Sequence, residues 1–185
     1  MKREAAQHSD WLLLDEDESW FSRFEQPSVR AWSATKPLQM VEREAPEHEP
    51  DKALACYGAV RYDTQHLYFA FSDTRPVSEE TWKFVQGLLE VAQQEGKRVL
   101  VIIWDNAGWH LSKRLRQWIR QHNRVAKATG TVRLLTHLLP LKSPWLNPIE
   151  PRWVHAKRAI CEPNGALSVE ETKRRLCAHF GTQSL

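Results

Sequence analysis

The sequence predicts an α/β fold, a mixed β-sheet with helices packed on it. Three observations carry this expectation. Apolar patterning orders the chain coarsely as β-β-β-β-α-β-α-β-α-α, an antiparallel meander followed by alternating helices and strands. Val99–Trp104 is an unbroken apolar run rich in β-branched residues, the mark of a buried strand and too short for a membrane helix. The helical segments on either side of it each carry one apolar face that can lie on a sheet.

Taken in order, Trp11–Leu14 reads as a short strand that delivers the acids Asp15-Glu16-Asp17-Glu18 at its end. Val29–Ala34 is a plausible second strand, and the Glu- and Pro-rich stretch Met40–Asp51 reads as an exposed loop. Ala53–Val60 and His66–Phe71, joined by the turn-like Arg61–Gln65, look like a hairpin. Ser78 is expected to cap a helix, with Glu79 and Glu80 suiting its positive end and Gly96 closing it. Thr81, Phe84, Val85, Leu88, Leu89 and Ala92 fall on one face of that helix. After the central strand comes Asp105-Asn106, with Gly108 expected to let the chain turn.

Ser112 begins the next helix, to about Ala128, with an apolar stripe of Leu111, Leu115, Trp118, Ile119, Val125 and Ala126. Lys113, Arg116, Arg120, Arg124 and Lys127 line its other side. Thr129-Gly130 breaks it, and Val132–Leu139 reads as a further strand. Asn147 is a good helix cap and Pro148 suits a first helical position, whereas Pro151 implies an irregular first turn or a later start. Pro163-Asn164-Gly165 is turn-like, and Ser168 with Glu171 forms a capping box for a last helix to about Phe180.

The 185 residues suit one domain with a real core. No stretch approaches a membrane span, the first ten residues lack the apolar core of a signal peptide, and no membrane partner is expected. Cys56, Cys161 and Cys177 share no metal-type spacing, so free thiols in a reducing compartment are expected. Charge is divided unevenly. Residues 1–95 hold 10 Lys and Arg against 18 Asp and Glu, a net of −8, and residues 96–185 hold 16 against 5, a net of +11. A basic second half suggests a polyanionic partner, although basic side chains also serve simply to solvate helices.

Three carboxylates stand out as candidates by position: Asp15 after the first strand, Asp105 after the central strand, and Glu150 at a helix start. Neighbouring strands would bring the two Asp together, and three acids so held repel one another unless a cation joins them. Oxygen ligands with few His or Cys favour Mg²⁺ or Mn²⁺, and two such ions suit phosphodiester chemistry.

Leu12–Glu16, Val101–His110 and Leu139–Arg158 resemble the catalytic domain of DDE transposases, most nearly the mariner-like superfamily and its bacterial insertion-sequence relatives. The pattern is an apolar strand ending in Asp-Glu, then D-N-A-x-x-H, then S-P-x-L-N-P-I-E-x-x-W-x-x-x-K. The chain carries Asp105-Asn106-Ala107 with His110, then Ser143-Pro144, Leu146 to Glu150, Trp153 and Lys157. The resemblance implies a ribonuclease-H-like fold with helices on both faces of the sheet. It implies Asp15, Asp105 and Glu150 as catalytic, metal-binding acids for two Mg²⁺ or Mn²⁺ ions. The implied reaction is hydrolytic nicking of transposon ends, then attack of the freed 3′-OH on target DNA. A ribonuclease-H-like nuclease and a transposase remnant that only binds DNA or a partner are the alternatives.

Asp17 rivals Asp15 within Asp15–Glu18, and Asp15 is preferred because it directly follows the apolar run. Asn106 orients its loop, touches metal-bound water, or simply forms the turn. His110 contacts a phosphate, assists proton transfer, or is simply packed. Asn147 reads as a cap before a ligand. Lys142, Arg152, Lys157 and Arg158 are candidate contacts to the DNA backbone. Residues 1–185 are expected to be one catalytic domain without the helix-turn-helix modules usual in the family. DNA is therefore joined as expected partner by a second copy or an upstream-frame DNA-binding subunit, in a bacterial cytoplasm at the nucleoid. The Asp105–Glu150 interval exceeds the family's usual one, and the extra length is expected in a loop around His122–Thr131.

Overall fold

The computed structural model describes residues 2, 7–22, 53–72, 76–141, 143–160 and 167–185. The expected strand at Val29–Ala34, the loop at Met40–Asp51, the turn at Pro163–Gly165, Cys161 and Lys142 lie outside the described residues. Five strands form one sheet: β1 (Trp11–Ser22), β2 (Ala53–Arg61), β3 (Leu67–Ser72), β4 (Val99–Trp104) and β5 (Arg133–Leu138). Four helices are α1 (Ser78–Gln94), α2 (Lys113–Thr129), α3 (Glu150–Ala159) and α4 (Val169–Phe180). The spatial order is β3-β2-β1-β4-β5, with β1 at the centre. β1–β2 and β2–β3 are antiparallel, whereas β1–β4 and β4–β5 are parallel. The mixed sheet thus agrees with the meander-then-alternation expectation, and α1 and α2 make the crossovers that parallel pairing requires.

Helices cover both faces. Phe84, Val85, Leu88 and Leu89 of α1, with Leu115 of α2, pack on Leu12, Leu14, Leu100, Ile102 and Trp104. On the other face Ile149, Trp153, Ala156 and Ile160 around α3, with Leu176 of α4, pack on Phe21, Leu54, Cys56, Val60 and Phe69. β4 is buried along its whole length, which is why its sequence shows no alternation. Among the described residues, no helix is long and apolar enough to cross a membrane.

Several local expectations change. β1 does not end at the acids but runs through them to Ser22. Asp15 to Ser22 all pair with β2, and past Asp15, where the pairing with β4 ends, the Glu16 carbonyl is met by the Asn147 side chain. Ser78 is the first residue of α1 and not its cap; Val77 holds the cap position, and Ser78 Oγ donates to the Trp109 carbonyl and bonds Ser112 Oγ instead. Ser112 and Ser168 do cap α2 and α4, accepting from the N–H of Leu115 and Glu171. Residues 122–129 belong to α2 and are not a loop; the break falls at Gly130, whose φ of 72° is left-handed. Gly108 needs no such conformation, because Asp105 Oδ1 makes the turn by accepting the Ala107 N–H at 2.8 Å. In the α2 stripe, Leu111 and Val125 are exposed.

Candidate active site

Side-chain alternation along β1 sends Asp15 and Asp17 to one face of the sheet and Glu16 and Glu18 to the other. The parallel register sets Asp15 beside Ile103. Two residues on, Asp17 comes level with Asp105, just past the end of β4. Asp17, Asp105 and Glu150 accordingly line one cleft of about 270 Å³, with Asn106, Ala107, Leu139, Pro140, Ser143 and Asn147. Asp15 is not among these residues. Its buried carboxylate is held by Lys2 Nζ at 2.6 Å. The acid that joins Asp105 and Glu150 is therefore Asp17, because the strand continues past Asp15.

Each acid has its own support. Asp105 Oδ1 accepts from the Ala107 N–H and from His110 Nδ1, the latter at 2.9 Å. Chiefly through that imidazole, Asp105 is held below the usual carboxylate range. Asp17 Oδ2 accepts the Trp153 indole N–H at 3.1 Å. Burial first, then the negative charges of Glu150, Glu18 and Asp105, push its carboxyl up to about 7. Glu150 is the first residue of α3, where the helix end favours an anion. Pro151 follows at the second position, where a missing N–H breaks no helical bond, so the helix starts without irregularity from it.

Asn147 stands two residues before the α3 cap position and lines the cleft. Its Nδ2 donates to the Glu16 carbonyl at 3.0 Å and its Oδ1 accepts from the Ile149 N–H, so it clips the turn before α3 onto β1. Ile149 takes the cap position without a side-chain bond. Asn106 Nδ2 donates to the Leu139 carbonyl at 2.7 Å, tying the ends of β4 and β5.

His110 is buried and packed, its ring stacked on Trp104 with centroids 4.6 Å apart. Nε2 lies 3.2 Å from Glu18 Oε1 and 3.4 Å from Glu16 Oε2, and one donor atom from each of the three residues falls within 4.8 Å of the others. Burial opposes charge on the ring, but Glu16, Asp105 and Glu18 outweigh it and push the imidazole up to about 11. Burial, then Glu18, raises Glu16 well above its ordinary value.

Of the candidate basic contacts, Arg152 donates to the Gln65 carbonyl at 2.8 Å. Lys157 lies over the Phe21 ring, 5.9 Å from its centroid, and Arg158 is exposed. The supports that sequence reasoning missed are Glu16 and Glu18, whose signal was the period-two alternation of Asp15–Glu18 once the strand is extended through it. Trp153, already part of the motif, acts as the donor to Asp17.

Residues 16–173 match a family described as DDE superfamily endonuclease. A search of curated proteins gives no match. Among solved structures, the fold is similar to a Mos1 transposase paired-end complex with left transposon end (TM-score 0.62, 16% identity, 93% of this chain and 48% of that one). It is also similar to a Mos1 mariner paired-end complex with Mn (TM-score 0.61, 14% identity, 93% and 48%). A pre-cleavage Mos1 transpososome is a third (TM-score 0.59, 14% identity, 93% and 49%). The chain spans about half the length of these chains.

Proposed function

The chain belongs to the DDE superfamily endonucleases, and from that premise we propose that it is a DNA transposase catalytic domain whose metal ligands are Asp17, Asp105 and Glu150. The observation that carries the proposal is the convergence of these three carboxylates on one cleft. An all-oxygen donor set suits Mg²⁺ or Mn²⁺, and the Asp17 carboxyl, raised by burial and then by the neighbouring acids, is one whose charged form a cation would favour. When bound, a pair of such ions supplies a polarised nucleophilic oxygen and a stabilised leaving oxygen for phosphodiester cleavage and 3′-OH transfer. The chain's own part is to hold the acids: Trp153 orients Asp17, the Ala107 N–H and His110 orient Asp105, and Asn147 fixes the turn that presents Glu150.

The proposed substrates are transposon-end and target DNA. Support comes from α2, which has no acidic residue and exposes Lys113, Arg116, Arg120, Arg124 and Lys127. The test is nicking of end-containing DNA with Mn²⁺. Asp17→Asn, Asp105→Asn and Glu150→Gln are expected to abolish it, and Asp15→Asn to leave it. Nicking that survives Asp17→Asn but not Asp15→Asn would return the first ligand to Asp15. Products joined to target DNA mark a transposase, whereas cut ends alone mark a nuclease.

A further inference from the structure

We propose that His110 is a positioning residue that braces the cleft from behind the sheet, holding Asp105 at a set distance from Asp17. This rests on the metal-binding reading of the cleft. The β1–β4 pairing ends at Asp15 and Ile103, and Asp105 stands one residue beyond β4. Bonds outside the sheet ladder, from the Ala107 N–H and from His110, therefore fix where its carboxylate sits.

His110 does so from the opposite face. Nδ1 holds Asp105 Oδ1 at 2.9 Å, and Nε2 lies 3.2 Å from Glu18 and 3.4 Å from Glu16. Glu16 and Glu18 are the two chain neighbours of Asp17, turned to the back of β1 by strand alternation. The imidazole thus joins the loop that carries Asp105 to the strand segment that carries Asp17. Stacking on Trp104 at an interplanar angle of 5° fixes the plane of the ring. The Trp109 indole donates to Glu18 Oε1 at 2.7 Å and steadies the anchor. Among the described residues the two ring nitrogens face oxygen atoms of Asp105 on one side and of Glu18 on the other.

The test is Mn²⁺ affinity, measured by calorimetry or electron paramagnetic resonance on His110→Gln and on the double variant Glu16→Gln/His110→Gln. The double variant removes the buried Glu16 carboxyl together with the imidazole 3.4 Å from it. It relieves the buried carboxylate that the single change strands, so a folded protein remains to be measured. Both variants are expected to bind Mn²⁺ about tenfold or more weakly than wild type, with cooperative thermal unfolding retained. Neither His110 nor Glu16 lines the cleft, so weaker binding reports the lost position of Asp105. Wild-type or tighter affinity in the folded variants would overturn the brace. A wild-type chain that binds no Mn²⁺ would instead overturn the metal reading, and the brace with it.

Discussion

The Trp153 indole donates to Asp17 Oδ2 at 3.1 Å directly above Gly58, the residue paired with Asp17 across β1 and β2. A Cβ on Gly58 would lie 2.5 Å from Trp153 Cη2 and 2.7 Å from Ile149 Cδ1. The bare strand position lets α3 press onto the sheet, which brings both Trp153 to Asp17 and Glu150 to the cleft. Gly58→Ala is expected to cost about 1–3 kcal/mol by overpacking and to weaken Mn²⁺ binding. Trp153→Phe, which keeps most of the packing but removes the donor, should weaken Mn²⁺ binding with a smaller loss of melting temperature. Calorimetry on the two variants checks both.

Metal binding should depend on pH through Asp17. Its carboxyl is raised to about 7 in the fold, so below pH 7 a proton competes with the cation. Apparent Mn²⁺ affinity is expected to rise with pH and level off above 7. The metal-free protein carries the opposite sign. A carboxyl whose folded value exceeds its unfolded 3.8 binds protons more tightly when folded, so stability falls as pH rises from about 4 to about 7. Melting curves of wild type and Asp17→Asn across that window should diverge, with the wild type losing more. Parallel curves would show that Asp17 does not titrate there.

Asn147 spans the turn before α3 with bonds to the Glu16 carbonyl and the Ile149 N–H, and it is buried. Asn147→Ala is expected to destabilise by about 1–3 kcal/mol, since a buried partner is left unsatisfied. Mn²⁺ affinity should fall as well, because Glu150 follows the turn. Denaturant unfolding and metal titration measure the two effects separately.

The exposed basic face of α2 should read phosphates without reading sequence. Replacing Arg116, Arg120 and Arg124 with Gln is expected to weaken duplex DNA binding uniformly across sequences. The slope of log affinity against log salt should fall by roughly 0.9 for each phosphate no longer neutralised. An unchanged slope would show that this face solvates the helix and nothing more.

Much of this was legible in the chain. The β4 run, the Ser112 and Ser168 caps and the Gly130 stop follow from local rules, and each appears in the structure. Asp105 and Glu150 were legible because each follows a break in periodicity. Asp17 was not, because Asp15–Glu18 looks locally like a strand end. An acidic tetrapeptide inside a buried strand is unfavourable until its partners are known: Lys2 for Asp15, the Trp153 indole for Asp17, and His110 for Glu16 and Glu18.

By itself, the sequence determined the type and order of the elements, since hydrophobic period, caps and breakers act within a few residues. It also placed acids after the first strand's apolar run, after the central strand and at a helix start. Only the tertiary structure decided which acids meet. That choice depends on the register between β1 and β4, and a shift of two residues exchanges Asp15 for Asp17 while keeping both on the same face. Gly58 shows the same division. In the sequence it is an ordinary glycine inside a strand, and in the fold it is the gap through which Trp153 reaches Asp17.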